Sequence, residues 1–112
     1  MPWKKIEVSG ETIYEVVTEK DDPRFSFAVA EIEQSQAHFH KKTIEVYILI
    51  SGKLEVRIGH CAIILSRPGD IVTIPLDAVH SARSLVRERS WVAVLTLPPW
   101  SSKDQHISNE PR

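Results

Sequence analysis

The chain has 112 residues, of which 42% are hydrophobic and 26% are charged, and its formal net charge is -1. This size and composition predict a single globular domain with one hydrophobic core over residues 1–112. Lysine and arginine are scattered among the acids, so no basic patch favours nucleic acid as a partner and no polybasic cluster favours a membrane surface.

The cellular compartment is inferred from the cysteine count and the apolar runs. Cys61 is the single cysteine, which excludes an intramolecular disulfide, and we expect it to be a small buried or half-buried side chain. The first residues lack the apolar segment of a signal peptide, and no apolar run approaches the roughly 20 residues of a membrane-spanning helix. The expected location is therefore the cytoplasm.

Short segments rich in Val, Ile, Leu and Phe alternate along the chain with Gly, Pro and polar residues, and no long helical pattern is present. This rhythm is typical of an all-β domain. In the clearest segment, Leu54, Val56 and Ile58 alternate with polar residues, as in a strand with one buried face. In chain order, the predicted strands are Ile13–Val17, Phe25–Ile32, Glu45–Ile50, Leu54–Ile58, Ile63–Leu65, Ile71–Ile74 and Trp91–Leu97.

The strand predicted over Glu45–Ile50 is apolar on both of its alternating faces. One face can pack on the core, but the other needs cover from a second sheet or a second subunit, so a homodimer is expected. After two prolines the composition turns polar, and the tail over residues 99–112 is expected to fray. Trp100 is its candidate anchor or cover for a pocket.

Four residues carry the inventory of a mononuclear metal site: His38, His40, Glu45 and, forty residues after His40, His80. Residues two apart on a strand project from the same face, so His38 and His40 are placed to bind one ion. A tight turn over residues 41–43 is predicted to start a strand that runs back beside the first. Glu45 would then return to the same cavity.

The residues around this cluster resemble the first motif of the cupin family, G(x)5HxH(x)3-4E(x)6G. His38, His40 and Glu45 stand at its ligand positions, and Gly52 follows at the required distance. Ile32 stands where the motif begins with glycine. One position of this motif therefore departs from the family, and none of its ligand positions does.

The chain also resembles the second cupin motif, G(x)5PxGxxH(x)3N, since Gly69, Pro75 and His80 fall at their expected offsets. Asp77 stands at its second glycine position, and Ser84 stands where the family often has Asn. Both departures are at turn or supporting positions, so neither removes a ligand. Together the two motifs cover about residues 32–84 of the single domain.

The resemblance implies a double-stranded β-helix, the jelly-roll barrel of the cupins, with the four ligands meeting in its cavity. Imidazole and carboxylate ligands suit a divalent Fe, Mn, Ni, Cu, Co or Zn ion, and the sequence does not choose among these metals. Four protein ligands leave coordination positions open for water, dioxygen or an oxygen-bearing substrate. An open site of this kind favours catalysis over a closed structural role.

Strand parity predicts which side chains share the cavity with these ligands. Tyr47 lies on the face of Glu45 and is the candidate catalytic residue, as a donor of a hydrogen bond or proton. Outside the motifs, His60 and His106 are interpreted as ordinary surface histidines. Further expected lining residues are Leu49, Ala82 and Ser84, with Phe25, Phe27 and Val29 at the mouth, and Ser84, Thr73 or backbone carbonyls are expected to hold the histidine rings.

Three functions remain open, because the cupin fold hosts many chemistries. The leading hypothesis is a metal-dependent, dioxygenase-type oxidoreductase acting on a small organic substrate. The second is a redox-neutral isomerase, cyclase or lyase in which the ion acts as a Lewis acid. The third is a module that binds a metal or small molecule without turnover.

Overall fold

A computed structural model describes residues 3–108, and these residues form β-strands with one three-residue turn of 3-10 helix at Ser102–Asp104. No helix in this range is long and apolar enough to cross a membrane. The all-β prediction is confirmed. In chain order the strands are β1 (Lys4–Val8), β2 (Glu11–Val17), β3 (Ser26–Ile32), β4 (His38–Phe39), β5 (Ile44–Ser51), β6 (Leu54–Ile58), β7 (Cys61–Leu65), β8 (Ile71–Ile74), β9 (His80–Ser84), β10 (Ser90–Leu97) and β11 (His106–Ile107).

The strands form two antiparallel sheets. The first has the order β1-β2-β3-β10-β5-β8, and the second has the order β11-β4-β9-β6-β7. Their inner faces enclose one hydrophobic core, which is the arrangement of the predicted jelly-roll barrel. The buried core residues are Ala30, Ile32, Tyr47, Leu49, Leu54, Val56, Leu65, Val72, Ile74, Ala82 and Val92.

All seven predicted strands are present, with ends within two residues of the predicted ones. The apolar pattern did not reveal β1, β4, β9 and β11, although the ligand spacing placed His38 and His40 on a strand where β4 lies. Strand β1 is largely exposed and mostly charged, while β4 and β11 have two residues each. Strand β9 contains no large apolar residue, so its pattern lacks the alternation on which the prediction depends.

The path from β4 to β5 differs from the prediction. β4 pairs with β9 and β11, whereas β5 lies between β10 and β8 in the other sheet. The expectation that β5 runs back beside β4 is therefore wrong, because the corner at residues 41–43 carries the chain across to the facing sheet. Glu45 still reaches His38 and His40, since the inward side chains of both sheets meet in the barrel.

The two faces of β5 have different surroundings. Glu45, Tyr47 and Leu49 point inward and are buried, whereas Val46 and Ile48 on the outer face are half-buried. Ile44 and Ile50, at the two ends of the same outer face, are exposed. The outer face of β5 is thus apolar and incompletely buried, which is the feature from which a second subunit was predicted.

The polar tail is docked over the part that the structure describes, contrary to the expectation that it frays. Strand β11 pairs with β4, and the backbone N–H of Ser108 donates to Ala37 at 3.0 Å. The backbone N–H of Trp100 donates to the Ser26 hydroxyl at 2.9 Å, and its indole N–H donates to Gln105 at 2.9 Å. Polar residues here pair with backbone groups of β4 that would otherwise form a sheet edge.

Cys61 is exposed, so the prediction of a buried or half-buried thiol is wrong. It begins β7, which pairs with β6 alone and forms an edge of the second sheet. The first four residues of β7 are exposed because nothing among residues 3–108 covers this edge.

Gly52 and Gly69 offer a matched test of the packing beneath the first cupin-like motif. Both have a left-handed backbone, with φ of 90° and 93°, but a Cβ at Gly52 would meet the buried Ser90, whereas a Cβ at Gly69 would meet nothing within 4 Å. Gly69→Ala should cost about 1–2 kcal/mol from backbone strain, and Gly52→Ala should cost ~1–3 kcal/mol more from overpacking. Urea unfolding measures both, and equal losses of stability would contradict the close approach of Ser90.

Candidate metal centre

Three short elements bring the four predicted ligands together. His38 is in β4 with His40 directly after it, Glu45 is in β5, and His80 is in β9. His38 and His80 are direct partners in the second sheet, and Glu45 enters from the facing sheet. All four residues are buried, and each offers one ligand atom, these atoms lying within 4.8 Å of one another.

Each histidine ring is oriented by a backbone carbonyl that accepts from its Nδ1. The acceptors for His38, His40 and His80 are the carbonyls of Gln36 at 2.7 Å, Asp104 at 3.1 Å and Ala78 at 2.9 Å, respectively. Because a carbonyl only accepts, Nδ1 carries the proton in each ring and Nε2 faces the cluster. In His80 this Nε2 donates to Oε1 of Glu45 at 2.8 Å, and a metal ion bound there would replace the donated proton. Fixed Nδ1 contacts of this kind are typical of metal-binding histidines.

Of the supporting groups expected from the sequence, the backbone carbonyls are present and the two hydroxyls are elsewhere. The Ser84 hydroxyl contacts the Ser90 hydroxyl at 2.8 Å and donates to the Glu88 carbonyl at 2.7 Å, away from the rings. Thr73 is exposed on β8. Both residues are therefore excluded as partners of the ring nitrogens.

The Glu45 carboxylate lies between two of the imidazoles. Its Oε1 is 2.8 Å from Nε2 of His80 and 3.0 Å from Nε2 of His40. Burial by itself would raise the pKa of Glu45, but the contacts with both histidines outweigh it and lower the pKa to about 2. Burial and the neighbouring His80 lower the pKa of His38 to about 4, so this ligand is neutral at pH 7.

One nitrogen atom of the cluster lacks a hydrogen-bond partner in the described part of the chain. Nε2 of His40 is buried and has no hydrogen-bond partner among residues 3–108. It lies 3.0 Å from Oε1 of Glu45 without forming a hydrogen bond to it. A buried nitrogen left unpaired costs about 1–3 kcal/mol, and a metal ion bound at the cluster would satisfy it. The donor set and this nitrogen together fit a divalent transition metal ion.

A cavity of about 380 Å³ opens beside the cluster and is lined by His38, Glu45 and Tyr47. Tyr47 is buried, and this burial raises its pKa well above the ordinary value, so the phenol stays protonated. The ring centroids of Tyr47 and His80 are 6.4 Å apart. The predicted position of Tyr47 next to the ligands is what the structure shows, while a catalytic role stays a prediction.

Glu11 also lines the cavity, and the sequence reasoning missed it. It begins β2 and shares the inward face with Ile13. Burial, with a smaller contribution from the charge of Glu45, raises the pKa of Glu11 to about 7. The available signal was its parity with Ile13 at the start of a predicted strand. That signal indicates a face, but it does not indicate that the face meets the cluster of three histidines and Glu45.

The rest of the cavity wall is largely apolar, and no lysine or arginine within residues 3–108 lines it. From β3 the lining residues are Ser26, Phe27, Ala28, Ala30 and Ile32, so the expectation holds for Phe27 and is wrong for Phe25 and Val29. Leu49 and Ala82 are buried in the core and, like Ser84, do not line the cavity. Alternation along the strands predicted that these three side chains point inward, but it does not predict which inward side chains reach the cavity.

The two histidines outside the motifs have different environments. His60 is exposed in the β6–β7 turn, as expected. His106 is half-buried, with its ring stacked on Phe39 at a centroid distance of 5.1 Å and its Nε2 at 3.6 Å from the Asp104 carboxylate. His106 therefore has a packing role in the docked tail and is not a simple surface histidine.

No protein-family model matches the sequence, and no curated protein matches it. Among solved structures, KdgF from Halomonas sp. has a TM-score of 0.76 at 21% identity, over 92% of this chain and 91% of that chain. Pac13 from Streptomyces, a nucleoside dehydratase, has a TM-score of 0.81 at 15% identity, over 95% and 84%. Both are cupin-fold proteins. The chain has the cupin fold.

Ectoine synthase from P. lautus is a further cupin-fold neighbour, with a TM-score of 0.75 at 16% identity over 96% of this chain and 83% of that chain. The resemblance inferred from the motifs is thereby confirmed at the level of fold. The activities of these neighbours vary, so the cupin barrel does not by itself select a reaction. What the chain adds is a buried cluster of three histidines and one glutamate that fits a metal site.

We expect the protein, purified without chelators or a metal-affinity tag, to bind about one equivalent of a divalent transition metal ion. His38→Ala should lose this ion, because the remaining donors cannot close the same site. His60→Ala removes an exposed imidazole and serves as the matched control. Elemental analysis of the three proteins is the measurement, and equal metal content in all of them would contradict the ligand assignment.

Proposed function

We propose that the protein is a metal-dependent enzyme that catalyses a redox-neutral proton transfer on a small, uncharged organic molecule. Elimination of water, isomerisation and cyclisation all belong to this reaction class. The observation that carries the proposal is Glu11, a carboxyl group that shares the cavity with the ligand cluster and has a pKa of about 7. A general base is most effective when its pKa lies near the working pH.

The cavity supports the choice of an uncharged substrate. Its wall is mostly apolar and has no lysine or arginine within residues 3–108 that would pair with a phosphate or a second carboxylate. A volume of about 380 Å³ suits a small molecule, which is the usual occupant of such pockets. A metal ion bound by the cluster would supply Lewis-acid polarisation of an oxygen atom of the substrate.

In this proposal two residues of the chain have separate roles in the reaction. Ionised Glu11 accepts a proton from a carbon atom of the substrate, and Tyr47 donates a hydrogen bond to the oxygen on which negative charge develops. In an elimination, the electron pair of the C–H bond forms the new double bond and the C–O bond breaks. The departing hydroxyl then takes the proton back from Glu11 and leaves as water, which returns Glu11 to its ionised form. The raised pKa of Tyr47 keeps its phenol a donor throughout.

One neighbour in the fold lends support through the reaction that its name states. Pac13 is a nucleoside dehydratase, and structures of its variants contain uridine. At 15% identity the likeness establishes the fold alone. The proposal therefore depends on Glu11 and Tyr47 of this chain, and Pac13 supplies only a first compound for assay.

The dioxygenase-type oxidoreductase expected from the sequence is the second candidate. One observation favours it: three histidines and a carboxylate with open coordination positions also suit iron-dependent oxygen chemistry. Such a reaction gives Glu11 no required role. Oxygen uptake coupled to substrate loss would favour this candidate over proton transfer.

The experiment that tests the proposed reaction follows uridine and a panel of neutral alcohols, ketones and sugars by NMR in D2O with the metal-loaded protein. Glu11→Gln should lower kcat by roughly 10²- to 10⁴-fold. Activity of the wild type should rise with pH through about 7, as Glu11 ionises, and this rise should be absent in the variant. Glu31→Gln removes a β3 carboxyl group that does not line the cavity and is the matched control.

Three outcomes distinguish the candidates. Deuterium incorporation or loss of water without oxygen uptake supports proton transfer. Substrate-dependent consumption on an oxygen electrode supports the dioxygenase instead. A protein that retains its metal and binds compounds from the panel without converting them is the third candidate, a binding module.

We also propose that a second copy of the chain covers the apolar outer face of β5. Light scattering should then give twice the monomer mass of 12.7 kDa. Ile48→Asp introduces a charge on this face and should shift the mass to the monomer value. Ile64→Asp, on the exposed edge strand β7, is the control that should leave the dimer intact. A monomeric wild type would contradict the proposal.

A further inference from the structure

The C-terminal segment, residues 100–108, lies against β4, which contains His38 and ends next to His40. In β11, Ile107 is the direct partner of His38, and His106 is the partner of Phe39. Beyond β11, the backbone N–H of Ser108 donates to Ala37 at 3.0 Å. The segment therefore extends the second sheet beside β4, and it also supplies Trp100, Ser102, Gln105 and Ile107 to the cavity wall.

Asp104 is the residue of this segment that connects it to the ligands. It is only 6% exposed, and its carboxylate accepts from the backbone N–H groups of Lys41 at 3.0 Å and Lys42 at 2.9 Å. These two residues form the corner between His40 and Glu45. The backbone carbonyl of Asp104 accepts from Nδ1 of His40 at 3.1 Å. One residue thus contacts both the ring of a ligand and the turn between two ligands.

The contact with His40 differs from those of the other two histidines. The rings of His38 and His80 are held by carbonyls two residues earlier in the chain, so their partners come with the strand itself. The carbonyl that holds His40 lies 64 residues away in sequence. The orientation of His40 therefore depends on the docking of the C-terminal segment. His40 is also the ligand whose Nε2 lacks a hydrogen-bond partner within residues 3–108.

We propose that the C-terminal segment is part of the metal centre, with Asp104 as the positioning residue for His40. Docking of the segment then pre-orients His40, and a metal ion bound to His40 stabilises the docked segment. Coupling between two binding events is reciprocal, so each must favour the other by the same factor. This inference rests on the metal site of the proposed function and is independent of the reaction that the site catalyses.

The test is a Co²⁺ titration that records affinity and the visible absorption spectrum, which reports the number and arrangement of ligands. Loss of a group that orients a metal ligand typically weakens affinity about 10- to 100-fold, and we expect this loss for Asp104→Ala together with a changed spectrum. Asp104→Asn keeps one acceptor oxygen and should recover part of the affinity.

Asp70 provides a matched control within the same chain. Its carboxylate also accepts from two consecutive backbone N–H groups, those of Ser66 at 2.9 Å and Arg67 at 3.0 Å, in the turn between β7 and β8. Asp70→Ala removes the same kind of contact from a turn that holds no ligand. It should lower stability while leaving the Co²⁺ affinity and spectrum as in the wild type.

The reciprocal effect is measured in the wild type by hydrogen exchange of the backbone amides of Asp104 and Ser108, which both donate hydrogen bonds in the docked segment. Co²⁺ should slow their exchange, and it should not do so in His40→Ala. This measurement decides the proposal even where Asp104→Ala fails to fold.

Two results separate the failure of this inference from that of the metal centre. A wild type that binds no Co²⁺ would overturn the metal site and the coupling together. A wild type that binds Co²⁺, with no change in affinity for Asp104→Ala and no slowing of exchange at Ser108, would overturn the coupling alone.

Discussion

The buried carboxylate of Glu45 is the constraint on which the site depends. Placing a carboxylate inside a barrel is costly unless positive charge or hydrogen-bond donors surround it. The imidazoles of His40 and His80 approach the same oxygen at 3.0 and 2.8 Å, and they lower the pKa of Glu45 to about 2 despite its burial. The same contacts bring three of the four donor atoms to one point, where a divalent ion would neutralise the carboxylate and occupy the free nitrogen of His40.

The two-sheet architecture creates that point. Histidines from the second sheet face Glu45 and Tyr47 from the first, so the polar groups of the cavity stand against an otherwise apolar wall. In this low-polarity setting burial raises the pKa of Glu11, whereas direct imidazole contacts lower the pKa of Glu45. Two carboxyl groups in one cavity thereby acquire different protonation behaviour, a division that acid–base enzymes exploit.

Sequence reasoning succeeded where the pattern was local and failed where partners were distant. The alternation in Leu54–Ile58 gave a strand with the observed bounds, and the His-x-His spacing placed two donors on one side of the chain. The predicted path of β5 was wrong, because a three-residue corner permits either a hairpin or a crossing to the facing sheet. The exposed position of Cys61 was missed for a related reason: a strand pattern does not reveal which strand lies at an edge.

The sequence by itself determined the all-β class and the cluster of three histidines and one glutamate, because strand periodicity and residue spacing are properties of neighbouring residues. Only the tertiary structure decided that Glu11 shares the cavity and that the carbonyl of Asp104 orients His40 from 64 residues away. It also decided that the polar tail packs beside β4. These contacts join residues that are remote in the chain, and they arise only when the sheets pack and fix which inward faces meet.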